Sequence, residues 1–176
     1  VGAHLELWGV PASKITELDW WETTNLKTDL TITATPARHF SGRGLNRNES
    51  FWSSFVLKTK TETLFLGGDS GYDTHFAEIG KKYGPFDYAI LENGQYNKAW
   101  QAIHTLPSET AQAATDLGAK KLLPVHWSKF TLALHPWFEP MEALVQAAEK
   151  HSFEIVNPRL GETSVLKDLT LQTWWK

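Results

Sequence analysis

The sequence predicts a layered α/β or α+β domain, and three observations predict it. Strand-like alternation runs through the first 66 residues, helical segments punctuated by proline and glycine follow, and short apolar strands are interleaved between those helices. In order, Ala3-His-Leu-Glu-Leu-Trp8 alternates and reads as a strand. Leu30 to Thr35 reads likewise, with Leu30, Ile32 and Ala34 set against Thr31, Thr33 and Thr35. Phe51 to Thr59 and Thr63 to Leu66 flank the polar Lys60-Thr-Glu62 as a hairpin. Beyond Gly67 the texture changes. Asp73 to Tyr83 has a helical pattern that ends before Gly84-Pro85, and Asp87 to Leu91 is a short buried strand. Pro107 in a first turn, Glu109 behind it, an alanine-rich body and Gly118 just past the end mark a second helix. Lys121 to Val125 is a strand, Glu139 to Lys150 a helix opened by Pro140, Phe153 to Val156 a strand, and Thr163 to Trp175 one or two edge strands. With no repeat, linker or low-complexity tract, residues 1–176 form a single unit.

Composition bounds the function. A chain of 176 residues that is 41% apolar and 21% charged, with nine Trp and nine Phe, is one domain with ample material for a core. A net charge of −3 provides no electrostatic footprint for a nucleic-acid backbone, so nucleic acid is not an expected partner. The absence of cysteine excludes disulfides, thiolate-bound zinc, iron–sulfur clusters and a thiol nucleophile. Any metal must therefore sit on His, Asp or Glu. No apolar run approaches the roughly 18 residues of a membrane span, and no charged-then-apolar leader opens the chain, so a soluble, cytoplasmic protein is expected.

His39, Asp69 and His126 each follow a predicted strand immediately. Ligand and catalytic groups cluster at the carboxyl ends of strands, where the sheet holds loop residues firmly yet exposed. Two imidazoles and a carboxylate suit zinc, with iron or manganese as alternatives; taken singly, each is also an ordinary polar residue. His4, His75 and His151 lie in strand or helix text and read as structural. Gly68-Asp-Ser-Gly71 has the letters of a trypsin-like nucleophile but not its setting, because it sits where strands give way to helices and no cysteine frames it. Its glycines instead allow a sharp turn that presents Asp69 at a strand tip.

Thr35-Pro-Ala-Arg-His-Phe40, Phe65-Leu-Gly-Gly-Asp-Ser-Gly-Tyr72 and Leu123-Pro-Val-His-Trp127, in that order, resemble the second half of a metallo-β-lactamase-fold hydrolase. The resemblance is closest to the branch of N-acyl-phosphatidylethanolamine phospholipase D and RomA-like proteins, and Gly84-Pro-Phe-Asp87 and 131–137 add to it. It implies the carboxy-terminal half of an αββα sandwich, in which His39 binds one metal, Asp69 bridges two and His126 binds the second. It also implies two divalent cations, zinc first among them, and a metal-bound hydroxide attacking an ester, lactone or phosphodiester of a small or lipid-like molecule. The branch's other ligands come from a His-x-His-x-Asp-His string that this sequence lacks. The expectation is therefore a carboxy-terminal portion of a longer domain, weakly active or inactive alone; the competing account is a relative that has lost catalysis and serves as a non-catalytic α/β binding module.

Secondary candidates surround this set. His104 stands ahead of the Pro107 helix, where the resembling phospholipases place residues near the substrate, and is the candidate catalytic residue. Arg43, in the glycine-rich stretch after His39, is a candidate phosphate clamp together with Arg47. Tyr96, with Asn97 beside it, could donate to a developing oxyanion, and His135 follows the His126 strand closely enough to reach the same mouth. In the pairs Trp20-Trp21 and Trp174-Trp175, strand alternation would bury one ring and expose the other. Exposed tryptophan surface would favour homo-oligomers.

Overall fold

The computed structural model describes residues 1–42, 45–130 and 132–176. Its centre is a seven-stranded sheet whose spatial order follows the chain. β1 (Thr23–Lys27), β2 (Leu30–Pro36), β3 (Ser53–Lys58) and β4 (Thr63–Leu66) form an antiparallel meander. β5 (Phe86–Glu92), β6 (Ala119–Val125) and β7 (Glu154–Ile155) continue it in parallel. Parallel neighbours need crossovers, and here these carry α2 (His75–Tyr83), α3 (Pro107–Asp116) and α4 (Glu139–Ala148). The expected α/β architecture is thus present.

One face of the sheet is the core. Paired across the strands, Val56, Phe65, Ala89, Leu122 and Ile155 meet Phe76 and Ile79 of α2, Ala111 and Ala114 of α3, and Met141 and Leu144 of α4. The residues between them point the other way: Ile32, Phe55, Leu57, Leu64, Leu66, Ile90 and Leu123 form a continuous apolar row that is only half-buried. The amino-terminal segment reaches only a margin of this second face, where Leu5, Ile15 and Leu18 share a cavity wall with Ala34 and Phe55.

Three expectations fail for physical reasons. Ala3 to Trp8 lies in a helix, α1 (Gly2–Leu7), not a strand. Six residues fit either period, Ala, Leu and Glu favour the helix, and the Gly2 N–H donates to the Glu17 carboxylate at 2.8 Å. β1 escaped notice because it is a mostly exposed edge strand without apolar alternation. Thr163 to Trp175 forms no strand; only the short turn Leu166–Asp168 is regular. There the Asn157 side chain does the pairing, accepting from Gln172 N–H at 2.9 Å and donating to its carbonyl at 3.1 Å. The tryptophan pairs therefore do not follow strand alternation. Trp20 and Trp21 are both half-buried, and Trp175 enters the core while Trp174 stacks on Trp127 at 4.9 Å.

Phe65 is fully buried at the centre of this core, so Phe65→Ala should cost about 3–5 kcal/mol in chemical denaturation. His75 supplies a pH dependence. Burial pushes its imidazole down to about 4, with Asp73 opposing and Arg38 adding to the shift. The unfolded chain then binds a proton that the folded chain refuses. Stability from this residue is complete above its ordinary value of 6.5 and is lost as pH falls toward 4. His75→Gln should flatten that part of the stability profile.

Candidate metal centre

Because β4, β5 and β6 run parallel in register, with Leu66 opposite Ile90 and Glu92 opposite Val125, their carboxyl ends open on one edge. Gly68, at φ +64°, turns the chain after β4 and brings out the exposed Asp69. Ser70 is buried and structural: its Oγ accepts from Arg38 N–H at 2.9 Å, while Gly71 N–H donates to the Arg38 carbonyl at 2.9 Å. These two bonds fix the loop carrying His39 against the turn carrying Asp69. His126 follows β6 directly at φ +66°, a left-handed conformation that costs a non-glycine residue about 1–3 kcal/mol. Gly94 packs so closely beneath it that a Cβ there would run into the His126 carbonyl.

One donor atom from each of His39, Asp69 and His104 lies within 4.8 Å of the others. His126 Nε2 is 3.7 Å from Asp69 Oδ1. The His104 ring stands edge-on to His39, centroids 5.4 Å apart, and nearly parallel to His126 at 5.6 Å. The three residues singled out at strand ends thus lie close together, and His104 joins them. Donors of a tetrahedral zinc, with bonds of about 2.1 Å, lie about 3.4 Å apart. The observed spacings are somewhat wider and fall within reach of side-chain rotation, and the N and O donor set suits zinc, iron or manganese. The residues therefore fit a divalent cation.

The third imidazole, that of His104, is set by a carboxylate that the sequence reading missed. Glu92 ends β5 with only 2% of its surface exposed, and its Oε2 lies 3.4 Å from His104 Nδ1. Burial lowers the His104 imidazole, but the bond and charge of Glu92, with the charge of Asp69, outweigh it and leave the group above its ordinary value. The available signal was an acidic residue ending the apolar run 87–91. Gln95 was also missed: buried, it donates to the Phe130 carbonyl at 3.0 Å and accepts from Leu132 and Ala133 N–H, clamping the loop after His126.

The remaining candidates fall elsewhere. Tyr96 and His135 do meet, rings stacked at 4.4 Å, but on a cavity of about 310 Å³ whose walls include none of the four cluster residues. The Tyr96 hydroxyl already donates to Glu139 at 2.6 Å, so its proton is not free for an oxyanion. Asn97 caps a short turn by accepting from Ala99 N–H. Arg47 lies over the Phe40 ring, which itself stacks on His39 at 4.7 Å, and Arg43 falls outside the described residues. A larger, mainly apolar cavity of about 680 Å³ adjoins the centre and has His126, Trp127, Phe130 and Leu160 in its wall.

Residues 1–127 match the model of the beta-lactamase superfamily domain. The chain belongs to that family. The chain has the metallo-β-lactamase fold, which solved structures of metal-dependent hydrolases share. A metallo hydrolase from Ignicoccus hospitalis superposes with a TM-score of 0.68 at 17% identity, covering 93% of this chain and 65% of that one. Among curated relatives, an uncharacterized protein of Mycobacterium tuberculosis is 43% identical over all of this chain and 48% of its own length. The outer membrane protein RomA of Klebsiella pneumoniae is 55% identical over 55% of this chain and 74% of its own length. The mitochondrial N-acyl-phosphatidylethanolamine-hydrolyzing phospholipase D of Saccharomyces cerevisiae is 36% identical over 92% of this chain and 39% of its own length. The chain spans about half the length of the first of these superfamily relatives.

The left-handed backbone at His126 gives a direct test of how the loop after β6 is held. His126→Gly should be more stable than His126→Ala by about 1 kcal/mol in chemical denaturation, because only glycine adopts that conformation without strain.

Proposed function

We propose that this chain carries the His39, Asp69, His126 and His104 part of a divalent-metal centre, zinc first among the candidates, in a hydrolase acting on an ester, lactone or phosphodiester. The observation that carries the reading is the convergence of these four side chains from separate loops on one sheet edge. His39, Asp69 and His126 are the metal-holding residues, and His104 is the group that takes or gives a proton at Nε2. A divalent cation supplies a nucleophilic water near neutral pH and polarises the bond to be broken. The 680 Å³ apolar cavity beside His126 favours a lipid-like substrate, as does a relative whose name specifies an N-acyl-phosphatidylethanolamine.

In the same proposal the working domain includes more polypeptide than these residues. Four side chains are too few for two cations, and the apolar row on the second sheet face is suited to a further layer of structure. Where that layer is absent, self-association through Phe51, Phe130 and Trp137, all exposed, is the expected consequence. Among the described residues no helix is long and apolar enough to cross a membrane. Cytoplasmic residence is part of the proposal, with cell fractionation as its check because relatives carry outer-membrane and mitochondrial names.

The test is metal analysis joined to hydrolysis of simple phosphodiester and lactone substrates, for this chain and for a longer product of the same gene. Asp69→Asn should weaken zinc affinity more than about 100-fold, since even outer partners of a metal ligand are worth about 10–100-fold. If the longer protein takes up no metal, the chain is a non-catalytic binding module instead.

A further inference from the structure

We propose that Glu92 is a positioning residue for His104: its carboxylate holds the imidazole proton on Nδ1 and leaves Nε2 bare toward His39 and Asp69. The purpose of this arrangement rests on the metal-centre reading above, whereas its geometry does not.

Glu92 is among the most deeply buried charged residues described, and its two oxygens have different surroundings. Oε1 accepts from the Thr105 N–H at 2.6 Å and lies 3.2 Å from the Thr105 hydroxyl. Oε2 has no hydrogen-bond partner, and neither has His104 Nδ1; both atoms are sealed from solvent. A buried polar atom without a partner is costly, and two such atoms 3.4 Å apart form one broken bond rather than two independent defects. Catalytic hydrogen bonds are often long in ligand-free structures, and a shift of a few tenths of an ångström closes this one.

The direction of that bond follows from chemistry. An ionised carboxylate can only accept, so the proton must sit on Nδ1. A neutral imidazole with Nδ1–H has an unprotonated Nε2; one His104 nitrogen lies within 4.8 Å of donor atoms of His39 and Asp69, and with Nδ1 committed to Glu92 it is Nε2 that is left for them. The same carboxylate thus grips residues 104 and 105 together, fixing both the ring and the backbone beneath it. The Thr105 and Thr110 hydroxyls, 2.7 Å apart, lie against the Glu92 carboxylate and its backbone carbonyl and hold that residue in place.

The tautomer is read directly from imidazole nitrogen shifts by NMR on the full, metal-free chain, at a pH where histidine is neutral. His104 should favour Nδ1–H by about tenfold or more, the ratio expected from a charge-assisted bond. Glu92→Gln, which preserves volume and the bond from Thr105, should erase or reverse that preference without moving the signals of His75 or His151. A wild-type His104 in the Nε2–H form, or a preference that Glu92→Gln leaves unchanged, would overturn the proposal. Zinc added to the same sample separates the two ideas. A fixed tautomer with no response of His39 and His126 to zinc, in this chain and in the longer product of the gene alike, defeats the hydrolase reading alone. A zinc response with an indifferent His104 tautomer defeats the role of Glu92 alone.

Discussion

The parallel pairing of β4, β5 and β6 is the constraint on which the rest depends. Once these strands lie side by side in one direction, the turn at 67–71, the loop at 93–106 and the loop after 125 must leave from the same edge. Residues distant in sequence are then neighbours, while the helices are confined to the crossovers and to one face. The antiparallel meander before β4 adds the fourth contributor, because β2 ends beside β3 and delivers His39 to the same rim. Sheet topology thus accounts for the convergence before any metal is considered.

The two carboxylates at this edge occupy contrasting environments. Asp69 has a side chain 43% exposed and stands among three imidazoles; Glu92 has 3% exposure and sits beneath one. Solvent stabilises the first, so it can serve a cation without needing fixed partners. The second must be satisfied by protein, through Thr105 and His104. One kind of group, the carboxylate, therefore stands at this edge in two opposite settings, one met by solvent and one met by protein.

Much of this was legible in the sequence. The alternation at Leu30 to Thr35, the punctuation of α3 by Pro107 and Gly118, and the histidine or aspartate just beyond three strands located most elements and three of the cluster residues. What could not be read shares a cause. α1 is too short for its period to decide, β1 pairs without burying a face, and the tail replaces strand pairing with the Asn157 amide. Glu92 and Gln95 act through partners ten or more residues away, and periodicity carries no trace of such bonds. Tyr96 and His135, expected at the mouth of the cluster, instead stack on each other away from it, because a loop's sequence does not say which way it folds from the sheet edge.

Those long-distance polar bonds explain how a site built on loops acquires definite geometry. Each loop is tied by a side chain reaching backbone: Ser70 to Arg38, Glu92 to Thr105, and Gln95 to the segment beyond His126. The ties are buried, so each group would cost free energy if released, whereas the hydrophobic core stays intact on the other side of the sheet. Fold and site are consequently separable. Losing Phe65 threatens the whole domain, but loosening one of these polar clamps would misplace a single imidazole while leaving the sheet standing. That separation also permits the strain at His126, since a backbone conformation costing about 1–3 kcal/mol persists only where neighbours such as Gly94 and Gln95 leave it no easier alternative.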